Sequence, residues 1–233
     1  MRLNKFLAAH TSLSRRAADT AIKDGRVEIN GVLARLGDTV LPTDTVTLDK
    51  AAISTAVNTR TILLNKPTGY VCSRAGQGSK TIYDLLPPEL HRLNPAGRLD
   101  KDSSGLLLMT DDGNLANRLT HPSFGKTKIY LVTLDRKLSK PDAAKLRTGV
   151  DIGDDYPSKL GVKLHGEGYK ENLNPQPSAL SPIYEVRMSE GRNRQIRRSF
   201  TALGYTVTRL HRTRFGPYAL DNLKSGQYRD VEA

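Results

Sequence analysis

Leu106, Leu107, Leu108 and Met109 stand in an unbroken apolar row. A run so short and so apolar, leaving a Gly-rich bend, reads as a buried strand, and whatever the chain folds into must cover it. The approach to it is opposite in character. Residues 97–105, "GRLDKDSSG", place Arg98, Asp100, Lys101 and Asp102 directly before the driest strand of the chain. A charged loop there is either turn chemistry, the commoner use of Asp beside Gly and Ser, or a carboxylate placed to react.

The patterns around this strand are mostly strand-like too. From Thr61 onward, "TILLN", "YVCS", "GLLLMT", "KIYLVTL", "KLGVKL", "IYEVRMS" and "YTVTRL" read as strands. Helical signals are fewer: "GNLANRL" stops before Pro122, "SKPDAAKLRTG" starts at a Ser cap, and "NRQIRRSFTALG" ends at Gly204. Strands that outnumber helices without βαβ alternation predict an α+β domain on a mixed, mostly antiparallel sheet over residues 61–233. The polar, proline-rich stretch 166–182 reads as a loop.

The first 48 residues form a separate pattern. Leu3, Phe6 and Leu7 share one side of a short helix, and Ser12 or Ser14 can cap a second, "SRRAADTAIKDG", which Gly25 ends. "RVEINGVLA" then alternates, with Asn30-Gly31 suited to a type I′ hairpin. Residues 49–60 lack a period and read as a linker.

Charge narrows the partner. The chain of 233 residues carries a net charge of +12 with 37% hydrophobic residues, a globular composition that attracts a polyanion: RNA, DNA or an anionic membrane surface. No apolar run approaches the ~18 residues of a membrane span, and "MRLNKFLAAHTSL" lacks the ~7-residue apolar centre of a signal peptide. Cys72 is alone, which excludes an internal disulfide and a Cys-rich zinc site and fits the cytoplasm; it reads as core. His10, His91, His121, His165 and His211 are scattered without ligand spacing, and neither a Walker loop nor a dinucleotide fingerprint is present. The expectation is a nucleic-acid partner and no metal or cofactor.

Two basic surfaces stand out. In the N-terminal pattern Arg2, Lys5, Arg15, Arg16, Lys23 and Arg26 are candidate phosphate contacts, against the plain reading of a solvated charged face. Between Arg187 and Arg214 eight arginines face a single acid, Glu190. On that helix Ile196, Phe200 and Leu203 share a packing face; Arg194 and Arg198 point away, toward phosphate, while Arg197 sits about 100° round from Ile196. For Arg197 a phosphate surface and a reach toward a site are equally open. Lys66-Pro67 reads as a strand end, with Lys66 at the site edge.

Two resemblances sharpen this. "MRLNKFLA" and "SRRAADTAIKDGRVEINGVLARLGDTV" are similar to the S4 RNA-binding domain. "GRLDKDSSGLLLMTDDG" resembles the signature of pseudouridine synthases of the RsuA/RluA superfamily, and "LNKPTGYVCS", "KIYLVTL" and "EGRNRQIRRSFTALGYTVTRLHRTRFGPYAL" match its other motifs in order. With the S4-like start, the likeness points to the RsuA/RluB/RluE/RluF branch. It implies Asp100 as the catalytic carboxylate, Tyr130 against the target base, Arg197 paired with Asp100, and Arg98 in base flipping. Ser103 stands where many members have Thr, and Asn193-Arg194 replaces the Tyr-His or Thr-His of some relatives. The implied activity is isomerisation of a uridine in ribosomal RNA, naked or in assembly intermediates, by a monomer; "RLGDTV" tilts the expectation to the large-subunit RNA. Whether Asp100 attacks C1′ or takes a ribose proton stays open. The alternative is a non-catalytic S4-type protein that binds rRNA during assembly.

Overall fold

The computed structural model describes residues 1–11, 13–54, 59–167 and 181–232. Its internal contacts divide into two units, Met1–Arg60 with Asp111–Gly113, and Thr61–Thr110 with Asn114–Ala233.

In the first unit, helices α1 (Leu3–His10) and α2 (Arg15–Lys23) accompany a sheet of β1 (Val27–Ile29), β2 (Val32–Leu33), β3 (Val46–Leu48) and β4 (Ala51–Ala52), in the order β2-β1-β3-β4. Ser14 caps α2, its hydroxyl accepting the Ala17 N–H at 3.1 Å, while Ser12 lies outside the described residues. Leu3, Phe6, Leu7, Ala18, Ile22, Val27 and Val46 close one core. Asn30 (φ 51°) and Gly31 (φ 80°) turn the first hairpin as expected. The expected linker begins later than residue 49. Asp49 and Lys50, also at positive φ, turn a second hairpin that carries β4, and Arg26 grips the Asp49 carboxylate through two N–H donors. Residues 55–58 lie outside the described residues.

The second unit holds β5 (Thr61–Lys66), β6 (Asn94–Ala96), β7 (Ser104–Thr110), α3 (Gly113–Thr120), β8 (Lys128–Leu134), α4 (Lys140–Thr148), β9 (Gly161–Glu167), β10 (Pro182–Met188), α5 (Gln195–Ala202), β11 (Val207–Phe215), β12 (Tyr218–Ala219) and β13 (Tyr228–Asp230). Among the described residues the sheet runs β13-β5-β7-β11-β8-β10-β9, with β12 beside β11 and β6 beside β7. Only the β7–β11 pairing is parallel, so the fold is α+β with a mixed, mostly antiparallel sheet.

The apolar row lies on β7, near the middle of this sheet, and both of its faces are dry. Leu107 and Met109 join the larger core with Ile62, Leu64, Val132 and Phe200, while Leu106 and Leu108 join Leu63, Leu115, Leu119 and Phe215 on the other side. A strand covered on both faces has no reason to alternate. One edge of β7 is taken by β5 throughout; the other is divided, β11 pairing with Ser104 and Gly105 and β6 with Leu108 to Thr110.

Two readings are corrected. "YVCS" is not a strand: after the Pro67–Gly69 turn, Val71 makes a lone bridge to Thr81, exchanging backbone hydrogen bonds with Lys80 and Ile82. The 166–182 loop is narrower at both ends, since β9 runs to Glu167 and β10 starts at Pro182; residues 168–180 lie outside the described residues.

Candidate active site

The charged loop 97–103 joins β6 to β7 and is built on a buried ammonium. Lys66, at the end of β5, is 0% exposed and donates to the carbonyls of Pro67 (3.0 Å), Asp100 (3.1 Å) and Ser103 (2.7 Å). Burial lowers its pKa, and three carbonyls stand in for the water it gave up. Further bonds fix the loop: Gly69 N–H to the Lys101 carbonyl at 2.7 Å, and Leu99 N–H to the Cys72 thiol at 3.4 Å. Lys66 is thus a post under the loop rather than an edge residue, and Cys72 is half-buried, packed against the larger core and lining the cleft. Lys66→Met fills the same volume but leaves three carbonyls without their donor. We expect it to cost about 2–4 kcal/mol and to lower the melting temperature by about 5–15 °C. An unchanged melt would show that the loop does not depend on this ammonium.

On this support the Asp100 side chain, 36% exposed, faces a cleft of about 620 Å³ whose wall also includes Arg98, Cys72, Tyr130, Arg194 and Arg212. Tyr130 projects from β8 at 7% exposure, its phenol 3.5 Å from Arg212 Nη1. Arg98 is exposed on the same wall. The loop and β8 thus bring Asp100, Tyr130 and Arg98 together.

Arg197 comes near by another route than expected. Its Nη2 donates to the Asp102 carbonyl and its Nη1 to the Val207 carbonyl, both at 2.9 Å, while Nε lies 3.3 Å from the Asp102 carboxylate. Held between Val207 and Asp102, it braces the loop instead of pairing with the Asp100 carboxylate. Arg194 holds the nearer position, with Nη1 3.7 Å from Asp100 and two donors on Asp102 at 3.2 Å. Burial raises the Asp102 carboxyl, but the Arg194 hydrogen bond and the charges of Arg197 and Arg194 outweigh it and hold it below its usual range. Asp102, read as turn chemistry, is the anchor of both arginines.

Arg194 reaches this position from a left-handed backbone (φ 45°) at the start of α5. A buried polar network fixes that start: Gln195 Nε2 donates to Ser158 Oγ (3.0 Å) and to the Glu190 carboxylate, and Ser199 Oγ donates to Ser158 Oγ (2.8 Å). Arg198 is turned the other way. It grips Asp154 at 2.6 Å together with the Ile152 carbonyl, so it serves the fold more than a phosphate. Arg2, Arg15, Arg16 and Lys23 are exposed in the first unit and Lys5 is half-buried, whereas Arg26 is engaged with Asp49.

Sequence reasoning missed Lys66 as the loop's post and took Arg212 only as one of the eight arginines of the basic run. The signal for Arg212 was present in "TRLHRTRF": a basic residue on the inward side of an otherwise apolar strand position.

Comparisons with known proteins agree on the family. Residues 60–202 match the model of the RNA pseudouridylate synthase family, and residues 1–46 match the S4 domain. The ribosomal small subunit pseudouridine synthase A of Salmonella typhimurium is 38% identical over 99% of this chain and 96% of its own length. The ribosomal large subunit pseudouridine synthase B of Pseudomonas aeruginosa is 37% identical over 99% of this chain and 59% of its own. A crystal structure of a pseudouridylate synthase superposes with a TM-score of 0.67 at 34% identity, covering 100% of this chain and 96% of that one. The loop that carries Asp100, and Tyr130 on the same cleft, fall within the residues that match the family model, and the chain belongs to the RNA pseudouridylate synthase family.

Proposed function

We propose that the protein isomerises one uridine of ribosomal RNA to pseudouridine, with Asp100 as the catalytic carboxylate. The observation that carries this is that Asp100 and Tyr130, far apart in sequence, line one cleft while the loop behind Asp100 is clamped by Lys66. The reaction breaks the N1–C1′ bond, turns the uracil and rejoins it through C5. Asp100 meets the sugar, either attacking C1′ or removing a ribose proton, as carboxylates do at other glycosidic bonds. Arg194 places a countercharge 3.7 Å from its carboxylate. Tyr130 offers a flat face to the detached base. Arg98, exposed on the cleft wall, supports the flipped-out nucleotide. Arg197 acts through Asp102, bracing the loop.

Arg15, Arg16 and Lys23 supply sequence-independent grip on RNA, alongside Arg2 and Lys5. A chain with its own RNA-binding unit acts as a monomer, and the cytoplasm, where ribosomal RNA is made and assembled, is its place of work. Relatives named for the small and for the large ribosomal subunit match this chain at 38% and 37% identity, so RNA of both subunits is tested, whatever the tilt of "RLGDTV".

The experiment maps pseudouridine across both ribosomal RNAs from cells with and without the gene. Loss of pseudouridine at a single position, restored by the wild-type protein with tritium release from [5-³H]uridine-labelled RNA, is expected. Identical maps and no tritium release would leave a protein that binds RNA without modifying it.

A further inference from the structure

Arg212 sits in β11 at 2% exposure, a depth at which a guanidinium is costly unless its donors are used. Nε is used, donating to the Leu106 carbonyl at 2.8 Å, and Nη1 lies 3.5 Å from the Tyr130 phenol. Nη2 is buried and has no acceptor among the described residues. The carboxylates of the loop do not serve it, because Asp100 and Asp102 pair with Arg194 and Arg197. The Phe215 ring lies 4.9 Å from the guanidinium carbon, and the Lys128 ammonium lies 5.4 Å from the same ring. Lys128, Tyr130, Arg212 and Phe215 all line the cleft that holds Asp100. This end of the cleft is thus cationic, dry, and left with one spare donor. Such a donor is strong toward an acceptor that carries charge and wasted without one.

We propose that Arg212 is a further catalytic residue: its Nη2 donates to a carbonyl oxygen of the target uracil and stabilises the base as an anion once it is detached. This rests on the reading of the cleft as a uridine isomerase. When N1–C1′ breaks, its electron pair leaves with the base and spreads over N1 and the carbonyl oxygens, and the sugar is left for Asp100. An electron pair of that anion then forms the C5–C1′ bond, the hydrogen on C5 leaves as a proton, and N1 takes one up, so no atom or electron is gained or lost. A preorganised donor at the site of developing charge lowers the barrier to the first of these steps. Because guanidinium only donates, it also meets a uracil carbonyl well and a cytosine amino group badly.

The rival is a purely structural Arg212 that fastens β11 to β7 through Leu106. Leaving-group acidity separates the two. Transcripts of the modified rRNA region, carrying uridine or 5-fluorouridine at the target, are consumed under single-turnover conditions by wild type, Arg212→Gln and Arg212→Lys; the rate read is loss of the N1–C1′ bond, because the fluorine on C5 cannot leave as the hydrogen does. Gln keeps a neutral donor for Leu106, and Lys keeps a charge that cannot bridge Leu106 and the base. We expect the uridine rate to fall by about 10²–10³-fold in a folded Arg212→Gln with RNA affinity retained. The better leaving group should rescue it, so that the 5-fluorouridine-to-uridine rate ratio rises at least about tenfold over wild type, and less in Arg212→Lys. A fold defect slows both substrates alike, so an unchanged ratio overturns the proposal. A second measurement needs no variant. Wild type receives 2-thiouridine and 4-thiouridine transcripts, whose sulfur is a poor acceptor. At least one should react about tenfold slower than uridine; full rates on both overturn the proposal. Wild type that is inactive on every ribosomal transcript would instead refute the isomerase reading itself.

Discussion

Replacing Asp100 with asparagine should lower single-turnover pseudouridine formation on ribosomal RNA by at least about 10⁴-fold while the protein folds and binds RNA as before. The side chain contributes little to the structure. Its carboxylate makes one long ion pair, to Arg194 at 3.7 Å, and stands partly in solvent. What holds the loop is the backbone, since Lys66 bonds the Asp100 carbonyl and the Ser103 N–H donates to that same carbonyl at 3.1 Å. Asparagine keeps all of this, has nearly the same volume, and cannot ionise. Loss of activity can then be assigned to the missing charge. Thermal melts, RNA binding and tritium release read the three quantities separately. An Asn variant that retained even a tenth of the wild-type rate would remove Asp100 from the chemistry.

Gly105→Ala is expected to be severely damaging for a single added methyl. Gly105 is the second residue of β7, at φ 104°, where it lies beside Arg212 of β11 in the parallel pairing. A Cβ built there would stand 2.2 Å from the Arg212 carbonyl oxygen and 2.6 Å from its nitrogen, distances that backbone cannot accommodate without separating the strands. The dihedral alone disfavours alanine, and the collision falls on the junction that carries the Asp100 loop and Arg212. A cost above about 4 kcal/mol follows, seen as a fall in melting temperature of about 10 °C or more, or as failure to fold. Gly78→Ala is the control, because Gly78 also has positive φ (84°) but open space around its missing Cβ. It should cost only about 1 kcal/mol. Equal effects of the two substitutions would show that dihedral strain alone, and not the close approach of the strands, is at work.

Local rules made part of this molecule readable. "KIYLVTL" is β8 from end to end, Ser14 caps α2, and Asn30-Gly31 turns its hairpin, because each depends on residues within a few positions. "YVCS" failed because strand-forming residues were diverted by the turn before them toward Thr81, a partner that only tertiary structure supplies. "DKAAIS" looked like a linker since nothing in its composition announces a type I′ turn at Asp49-Lys50. The Asp100 loop and Tyr130 were singled out through resemblance. Lys66 and Arg212 were not, because their roles are set by carbonyls 37 and 106 positions away in sequence, Ser103 for one and Leu106 for the other. Asp102 shows the same limit: beside Gly and Ser it looks like a turn residue, and only the approach of α5 makes it the anchor of two guanidiniums.

The embrace of Asp154 by Arg192 and Arg198, and of Asp49 by Arg26, bears on how this protein meets a polyelectrolyte. A guanidinium already neutralised by its own chain displaces few condensed ions from nucleic acid when it arrives. The ionic-strength dependence of association therefore follows the cations that remain unneutralised, and the count of 36 lysines and arginines overstates the number of sodium ions released per complex.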